Sequence, residues 1–489
     1  MAITYFAPLM LDDYKLRHPE QYPKNTQEVY ANMTARSGNH SNIPGSKGII
    51  FAGLQMFNID YLVNDWNNHF FYRDKNEVME EYSIDSGLHL SKLGHIAALH
   101  DMGYLPLQIK ALPEGSFVPY GVPFLTIRNT DKEFGWLTNS IESVMSTELY
   151  PMINTITTTA EYLRVFHQFA DLTGADKQII PYQPHNFSFR GMMFRESSVK
   201  IGLAHLLAGV NGTDTTYASK LAWQFYGAER KIGGSIPATE HSVMCAGGKE
   251  DELNTIRRLI TEVYPNEDVS IVMDTWDLFK AVTTHLVELK PIIMARKGKL
   301  IVRPDSGDPV KIICGDDSSN DPAIRKGFIE LLMDIFGYTV NSSGYKVLDP
   351  HVGAIYGDSI TLQRQREILQ GLANKRISSE NIFLGVGSYT YQGTTRDTHG
   401  IAIKSTSVTI DGVRSAIFKD PKTDNGVKKS ARGYLMVTNG IGEYTMEQDV
   451  TPKQEREGCL KTVFLDGEIN NIQTIYDIRD RVFFEYINK

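Results

Sequence analysis

Short apolar runs, each ending in a polar cluster, recur between residues 180 and 396. They are VSIVMDTWD (269–277), KLIVRPDSG (299–307), GAIYGDS (353–359) and NIFLGVGS (381–388). Most of them are followed by a segment that suits a helix. Near-continuous apolar strands separated by helices are typical of a parallel sheet covered on both faces. The pattern therefore predicts an α/β domain, built as a barrel or an open sheet, over residues 146–396.

The flanking regions alternate between apolar and polar residues and turn at Pro and Gly, as antiparallel strands do. The clearest stretches are LPLQIKALPEGSFVPYGVPFLTIRNT (105–130), GIAIKSTSVTIDGVRSAIFKDP (400–421) and EGCLKTVFLDGEI (457–469). They predict a second, mainly β domain from residues 1–145 and 397–489. Residues 138–172 have the apolar spacing of a helix, which we expect to break at Pro151.

The polar residues that end the apolar runs carry the candidate chemistry. They are Asp274, Asp277, Arg303, Asp305, Gly357, Asp358 and the GVGS stretch at 385–388. Because the carboxyl ends of parallel strands share one face, we expect these residues to meet there. Carboxylates bind Mg²⁺ through its waters or accept hydrogen bonds from sugar hydroxyls, and glycine-rich turns offer N–H groups to phosphate. A phosphorylated sugar with magnesium is predicted; ordinary strand caps and turns are the alternative.

Basic residues follow the last apolar run and form a second candidate cluster. They are Arg396, Lys404, Lys428 and Lys429. Such a cluster suits a diphosphate, although a solvated charged loop has the same composition.

Two other stretches contain ring side chains. In HNFSFRG (185–191), Phe187 and Phe189 share one face at strand spacing, either to stack on a flat heterocycle or to fill a core. IPATEHS (236–242) ends in Glu240 and His241. A single histidine is more often structural than catalytic, so this stretch alone leaves its role open.

Composition narrows the class of protein. The 489 residues include 50 basic and 58 acidic side chains, and the net charge of −8 argues against a general nucleic-acid or anionic-membrane surface. The start, MAITYFAPLMLDDYK, lacks the basic region of a signal peptide, and no run approaches the roughly 18 apolar residues of a membrane span. Cys245, Cys314 and Cys459 lie far apart and suggest neither disulfides nor a zinc site. We expect a cytoplasmic protein with no nucleic-acid or membrane partner.

Taken in order, these motifs resemble the nicotinamide phosphoribosyltransferases, the type II phosphoribosyltransferases of NAD salvage. The resemblance runs through DDYKLRHPEQYPKNTQEVY (12–30), GTDT (212–215), PATEHS (237–242), RPDSG (303–307), GD (357–358), TRD (395–397) and FKDP (418–421). It implies an irregular α/β barrel with a second, mostly antiparallel β domain from the N- and C-terminal segments. It also implies phosphoribosyl transfer from phosphoribosyl diphosphate to nicotinamide, with Mg²⁺ as cofactor and ATP as co-substrate.

The resemblance assigns roles to individual residues. The nicotinamide ring would lie between Phe187 and the partner subunit's Tyr14, with Arg303 at its border. Asp214 would accept a hydrogen bond from the carboxamide. The residues for ribose, diphosphate and 5′-phosphate would be Arg190, Asp305, Gly357, Asp358, Gly387 and Ser388, with Asp305 also binding magnesium through water. The residues reaching a neighbouring subunit's phosphates would be Arg36, Arg396, Lys404 and Lys428, which makes the site composite and the protein a homodimer.

The resemblance also implies how ATP acts on the enzyme and which base the enzyme uses. His241 matches the histidine that ATP phosphorylates, and Asp277 would orient its ring. Nicotinate would place a second negative charge beside Asp214. At about 4 Å and an effective dielectric near 20, the repulsion is on the order of 4 kcal/mol, roughly a thousandfold in affinity. Nicotinamide is therefore favoured.

This chain departs from the family at a few positions. Ala402 replaces a serine before the phosphate-binding lysine, Gly234 an aromatic residue beside the base pocket, Ser388 a glycine of the phosphate loop, and Asn186 an acid beside Phe187. These changes bear on ATP coupling and inhibitor sensitivity more than on the reaction.

Three alternatives are weighed against this interpretation. A nicotinate or quinolinate phosphoribosyltransferase is the first. A non-catalytic binding protein on the same scaffold is the second, although His241, Asp305, Arg303 and Arg396 are all intact. A Schiff-base sugar-phosphate lyase is the third, but it needs a lysine at a strand end, and the four polar strand ends supply none.

Overall fold

The computed structural model describes residues 5–420, 430–440 and 442–489. Its strands are β1 (Thr26–Thr34), β2 (Gly48–Ile50), β3 (Leu107–Ala111), β4 (Phe117–Pro119), β5 (Pro123–Asn129), β6 (Pro184–Asn186), β7 (Val269–Val272), β8 (Leu300–Arg303), β9 (Tyr338–Val340), β10 (Lys346–Leu348), β11 (Val352–Tyr356), β12 (Phe383–Val386), β13 (Ala402–Ile410), β14 (Val413–Ala416), β15 (Tyr434–Gly440), β16 (Glu443–Val450), β17 (Lys461–Leu465) and β18 (Glu468–Ile469). Its α-helices are α1 (His18–Gln21), α2 (Leu54–Phe57), α3 (Lys75–Ser86), α4 (Gly94–Met102), α5 (Leu137–Ser140), α6 (Glu142–Thr173), α7 (Arg195–Leu207), α8 (Thr216–Tyr226), α9 (His241–Cys245), α10 (Glu252–Arg258), α11 (Leu278–Lys280), α12 (Leu286–Ile293), α13 (Pro309–Cys314), α14 (Pro322–Lys326), α15 (Phe328–Phe336), α16 (Leu362–Asn374), α17 (Ser388–Gln392), α18 (Pro452–Glu457) and α19 (Ile475–Val482).

The chain divides into two compact units, each assembled from separate segments. Unit 1 consists of Met1–Thr158, Trp223–Ala228 and Thr394–Tyr486, and unit 2 of Thr159–Ala222, Glu229–Gly393 and Ile487–Lys489. The domain limits that the sequence suggests, 1–145 with 397–489 and 146–396, stay a prediction.

The main sheet of unit 1 is antiparallel. Its strand order is β14, β13, β1, β5, β3, β17, β18. The N-terminal β1 pairs with the C-terminal β13, placing Ala31 opposite Ser405. Ala31, Met33 and Ile109 are fully buried, so this sheet packs against the core of unit 1. The prediction of a mostly antiparallel β domain made from both ends of the chain is confirmed.

Unit 2 contains a parallel sheet with the strand order β6, β12, β11, β8, β7. The four apolar runs of the sequence supply β7, β8, β11 and β12, as predicted. In β7 every residue from Val269 to Val272 is buried, which means that both faces of the sheet are covered.

Isolated backbone bridges extend the parallel sheet beyond both of its edges. Gly212, whose carbonyl accepts from β6, pairs with Gly234, and Ala238 pairs with Ser270 of β7. Residues 234–238 therefore link the segment beside β6 to β7 through single bridges.

Helix α6 continues through Pro151, so the expected break is wrong. A proline removes one N–H donor from a helix. Met152, Ile153 and Ile156, which follow it, are fully buried, and burial of this apolar face outweighs the local cost of the proline. Even α6, the longest of the described helices, lacks the apolar character of a membrane span, as do the others in the described part of the chain.

Candidate active site

The carboxyl ends of β8, β11 and β12 meet at a cavity of about 630 Å³ in unit 2. The residues predicted to bind substrate that line it are Phe187, Arg190, Asp214, Arg303, Asp305, Gly357, Asp358, Gly387 and Ser388. They lie far apart in the sequence, and the parallel strands bring them together. The residues at the carboxyl ends of β8, β11 and β12 therefore share one cavity.

Phe187 forms one wall of the cavity, and glycines make room for it. β6 ends at Asn186, and Phe189 begins a 3-10 turn with its side chain 43% exposed. The expectation that Phe187 and Phe189 share one face of a strand is therefore wrong, because the strand stops before both. A Cβ on Gly385 would lie 2.7 Å from Cε2 of Phe187 and 2.9 Å from Cα of Gly357. Only glycine leaves this space for the ring.

Asp214 reaches the cavity because the GTDT segment runs beside β6. Its backbone N–H donates to the carbonyl of Asn186 at 3.0 Å. Its side chain is 43% exposed, and Oδ1 lies 3.0 Å from Nε2 of His185. Burial alone would raise the pKa of this carboxyl, but the hydrogen bond and charge of His185, with Ser235 and Arg303, outweigh burial and lower it. Asp214 is therefore an ionised acceptor in the cavity wall.

The cavity floor pairs Arg303 with Asp305. Nη2 of Arg303 donates to Oδ2 of Asp305 at 3.3 Å. Oδ2 of Asp274 accepts the backbone N–H groups of Asp305 at 2.9 Å and Ser306 at 2.7 Å. The turn after β8 is thus fixed by a carboxylate that follows β7. The sequence marks Asp274 as a strand-end acid but gives it no role, because only the fold shows which backbone it faces.

Asp305 has an oxygen with unused hydrogen-bonding capacity. Its Oδ1 is buried and has no hydrogen-bond partner within the described residues. Burial raises the pKa of Asp305, and the charge of Asp274 adds to that effect, against the opposing charges of Arg303 and His241. A Cβ on Gly357 would clash with this oxygen. The floor therefore offers a desolvated carboxylate that suits a cation or hydroxyl donors.

His241 follows an extended stretch beside β7. The backbone N–H of Thr239 donates to the carbonyl of Ser270 at 2.9 Å, which aligns this stretch with the strand. The imidazole of His241, at the start of α9, is 47% exposed, and its Nε2 lies 4.0 Å from Oδ2 of Asp305. An accessible ring nitrogen thus stands next to the cavity floor.

The structure places Thr275, rather than Asp277, against the ring of His241. Nδ1 of His241 lies 3.2 Å from the hydroxyl of Thr275. Oδ1 of Asp277 accepts the N–H of Lys280 at 3.0 Å and so caps α11. The orienting role of Asp277 stays a prediction. Thr275 is a contact that the sequence did not indicate, since a threonine in a strand-end loop carries no distinctive signal.

Three of the predicted basic residues interact within unit 1. Nε of Arg36 donates to the carbonyl of Gly400 at 2.8 Å. Burial lowers the pKa of Lys404, and the charges of Arg36 and Arg396 add to that effect against the opposing charge of Glu142. Arg36, Arg396 and Lys404 are here called the basic cluster, in which both arginines repel the partly desolvated Lys404. Such a cluster suits an anion.

His399 supports the turn that carries Arg396. Its carbonyl accepts the backbone N–H of Arg36 at 3.0 Å, and its Nδ1 lies 2.8 Å from the hydroxyl of Tyr120. The ring is fully buried, and burial lowers its pKa to about 4. This imidazole is therefore neutral near pH 7.

Two other predicted residues lie outside these clusters. Lys428 falls outside the described residues. Tyr14, predicted to act in a neighbouring subunit's site, is 61% exposed, and its ring meets that of His18 edge-on at 5.5 Å.

The chain matches known proteins along most of its length. Residues 182–468 match the nicotinate phosphoribosyltransferase (NAPRTase) family, and residues 7–109 the nicotinamide phosphoribosyltransferase N-terminal domain. A nicotinamide phosphoribosyltransferase from Acinetobacter baylyi is 47% identical over 485 residues, which cover 96% of each chain. Proteins with the same name from Mycoplasma pneumoniae and Xanthomonas campestris pv. campestris are 33% and 30% identical, over 89% and 97% of this chain and 96% and 98% of theirs.

Solved structures are similar in fold. A nicotinate-nucleotide pyrophosphorylase from Pyrococcus furiosus aligns with a TM-score of 0.61 at 14% identity, over 99% of this chain and 97% of the other. Human nicotinic acid phosphoribosyltransferase aligns with a TM-score of 0.53 at 14% identity, over 98% and 93%. The sequence matches go further than the fold: this chain belongs to the nicotinate phosphoribosyltransferase family.

Proposed function

We propose that this protein transfers the phosphoribosyl group of phosphoribosyl diphosphate to nicotinamide, giving nicotinamide mononucleotide and diphosphate in NAD salvage. The observation that carries the proposal is that an ionised Asp214, the Phe187 ring and the Asp305 carboxylate line one cavity. A flat base with an amide group fits the first two, and a ribose phosphate fits the third. Relatives named nicotinamide phosphoribosyltransferase support the same reaction.

Positioning and electrostatics account for the proposed reaction. As diphosphate leaves C1 of the ribose, positive charge develops on the sugar, and the carboxylate of Asp305 stabilises it. Phe187 and Asp214 hold the base with its ring nitrogen toward C1. An aromatic nitrogen has no proton to lose, so no general base is needed. The residues that would hold the ribose and phosphates are Arg190, Gly357, Asp358, Gly387 and Ser388, which line the same cavity.

Magnesium is the proposed cofactor, and Asp305 fits it. Carboxylate oxygens are the ligands that Mg²⁺ prefers, and Oδ1 of Asp305 is buried without a partner in the described part of the chain. The described residues contain no group of three or more His, Cys, Asp or Glu side chains suited to a metal. Asp305 would therefore hold the ion through water, with substrate oxygens as further ligands. When bound, magnesium neutralises charge on the leaving diphosphate.

The carboxylate of Asp214 favours binding of nicotinamide over nicotinate. Its carboxylate accepts a hydrogen bond from an amide and repels an acid. Nicotinate remains the second candidate substrate, because the matched family and the human structure are named for it. An assay that compares nicotinamide with nicotinate distinguishes the two candidate substrates.

ATP is the proposed co-substrate, with His241 as the phosphorylated residue. Its imidazole is 47% exposed and close to the cavity floor, as a nucleophile toward a bound triphosphate must be. Phosphohistidine hydrolysis would then drive the transfer toward product. Ala402 stands where the family resemblance implies a serine, so a phosphate contact would be missing, which bears on how tightly ATP is coupled.

The proposed assembly is a homodimer with composite sites, to which the partner subunit's Tyr14 and the basic cluster contribute. The exposed ring of Tyr14 and the mutual repulsion within the basic cluster support this assembly. Mixing Tyr14→Ala with Asp305→Ala homodimers tests it, since hybrid dimers regain one intact site. We expect about a quarter of wild-type activity from random mixing; no recovery in confirmed hybrid dimers would contradict a composite site.

The cytoplasm is the proposed location of the enzyme. The cysteines Cys245, Cys314 and Cys459 are free thiols, which suit a reducing compartment. Its proposed partners are small molecules and a second copy of the chain.

The decisive assay measures product formation from phosphoribosyl diphosphate and Mg²⁺ with nicotinamide or nicotinate, each with and without ATP. Wild type is expected to use nicotinamide and respond to ATP, and His241→Ala to lose the response. His351→Ala is the matched control, because His351 is paired with Asp349 at 2.8 Å and precedes β11 at the opposite end of the sheet. A preference for nicotinate would overturn the proposed substrate, and no transfer at all the proposed reaction.

A further inference from the structure

Behind Asp214 lies a buried histidine that the proposed reaction does not use. His185 is the middle residue of β6 and is 9% exposed. Its Nε2 lies 3.0 Å from Oδ1 of Asp214. Because an ionised carboxylate only accepts hydrogen bonds, the imidazole is the donor and a proton sits on Nε2.

The ring of His185 lies close to both Phe187 and Gly212. Its centroid lies 4.7 Å from that of Phe187, with the ring planes at 51°. A Cβ on Gly212 would lie 2.7 Å from Nδ1, so the glycine backbone lies near this nitrogen. Together with the hydrogen bond to Asp214, these neighbours restrict the orientation of the imidazole.

One imidazole therefore contacts both groups that are proposed to hold the base, Phe187 and Asp214. A hydrogen bond to Oδ1 restricts rotation of the Asp214 carboxylate and favours its charged form. Ser235 and Arg303 also act on this carboxylate, so His185 is not its sole support. Its hydrogen bond to Oδ1 is a contact that restricts the direction in which the carboxylate points.

We propose, on the premise of the function proposed above, that His185 is a positioning residue that determines the choice between nicotinamide and nicotinate. By donating to Oδ1 it holds Asp214 as an oriented carboxylate that accepts from an amide and repels an acid. Without this donor, the carboxylate rotates and takes up a proton more readily. An amide then loses a fixed acceptor, and an acid meets less repulsion.

The test is a double-mutant cycle. His185→Phe, which keeps a flat ring without a donor, and His185→Gln, which keeps a donor, are made in wild type and in Asp214→Asn. The kcat and KM for radiolabelled nicotinamide and nicotinate are measured at saturating phosphoribosyl diphosphate and Mg²⁺. Radiolabel makes a slow nicotinate reaction measurable. The readout is the ratio of the two kcat/KM values.

We expect His185→Phe to lower the nicotinamide-to-nicotinate ratio by about tenfold or more, the effect of losing one hydrogen bond to a charged group. The loss should appear mainly in the KM for nicotinamide. His185→Gln should restore most of the ratio. In the Asp214→Asn background His185→Phe should leave the ratio unchanged, because the carboxylate on which His185 acts is gone.

His205→Leu is the matched control for packing. His205 is fully buried and also lies against β6, with Nε2 2.9 Å from the carbonyl of Pro184. We expect it to lower the melting temperature and leave the ratio intact. If His185→Phe fails to fold, His185→Leu also lacks the donor, and the same ratio is measured on it.

The outcomes separate the two proposals. An unchanged ratio in folded, active His185→Phe, or an equal change in the Asp214→Asn background, would overturn the role of His185 alone. A wild-type enzyme that does not use nicotinamide would instead overturn the proposed function.

Discussion

Oδ2 of Asp274 lies 2.9 Å from the backbone nitrogen of Asp305 and accepts its hydrogen bond. The same oxygen accepts the N–H of Ser306 at 2.7 Å. The turn that presents Asp305 to the cavity is therefore held by a residue that follows the adjacent strand. The proposed sugar-binding carboxylate depends on a second acid for its position.

Removing this support should impair catalysis more than folding. We expect Asp274→Ala to lower kcat/KM for phosphoribosyl diphosphate by about a hundredfold, since two backbone hydrogen bonds to a charged acceptor are lost. Asp274→Asn keeps an acceptor and should lose less. Asp268→Ala is the control, because Oδ1 of Asp268 accepts the N–H of Lys299 at 2.7 Å near the opposite end of the strands. Equal losses in Asp274→Ala and Asp268→Ala would refute a positioning role.

Gly385→Ala should close the space behind the base. Its Cβ would lie 2.7 Å from Cε2 of Phe187 and 2.9 Å from Cα of Gly357, so the ring must move into the cavity. We expect the KM for nicotinamide to rise about tenfold or more, with a loss of roughly 1–3 kcal/mol in the free energy of unfolding. Gly94→Ala is a contrast, because Gly94 begins α4 in unit 1 and a Cβ there meets no described atom within 4 Å. Steady-state kinetics with both variants would reveal whether crowding, rather than loss of glycine, is responsible.

The charge of Lys404 in the basic cluster should lower the stability of the fold and strengthen substrate binding. Burial and the charges of Arg36 and Arg396 disfavour the charged form of Lys404. Lys404→Met should therefore raise the melting temperature at low salt while raising the KM for phosphoribosyl diphosphate about tenfold or more. Lys75→Met, on an exposed lysine paired with Asp101, should change both little. A lowered melting temperature in Lys404→Met would contradict mutual repulsion within the basic cluster.

His399 should make stability fall on acidification. Its pKa is about 4 in the folded chain, below the ordinary value of about 6.5, because the ring is buried. At pH values between these two pKa values, His399 binds a proton in the unfolded state but not in the folded state. The free energy of unfolding should therefore decrease as pH falls from about 6.5 to about 4, by about 1.4 kcal/mol per pH unit.

Urea unfolding at several pH values measures this slope. His399→Gln has no titrating ring and should flatten the slope over that range. An unchanged slope in His399→Gln would assign the acid sensitivity to other groups.

Local pattern was sufficient for β7, β8, β11 and β12 and for the residues at their carboxyl ends. Runs such as KLIVRPDSG carry both a buried strand and its polar end in a few consecutive residues. His185 was missed for the opposite reason. Its partner, Asp214, lies 29 positions away, and only the pairing of two segments brings them together. A buried histidine next to a phenylalanine also has the composition of an ordinary core strand.

The helix through Pro151 and the single bridges at residues 234–238 were likewise beyond local pattern. In α6 the burial of Met152 and Ile153 overrides the preference of proline. At Gly234 and Ala238, single bridges replace a regular strand, so no period of two appears in the sequence. Both features follow from contacts between distant segments.

The pairing of β1 with β13 governs when this protein can fold. β1 comprises residues 26–34, but its partner at residues 402–410 is synthesised much later along the chain. In unit 2, β6 likewise cannot pair until β12 has been synthesised, because Asn186 pairs with Val386. Nascent chains therefore carry unpaired strand edges until these later strands emerge, which exposes them to aggregation. A premature stop before residue 383 would leave both sheets without strands from their interior, and the truncated chain would be a substrate for chaperones and proteases rather than a smaller enzyme.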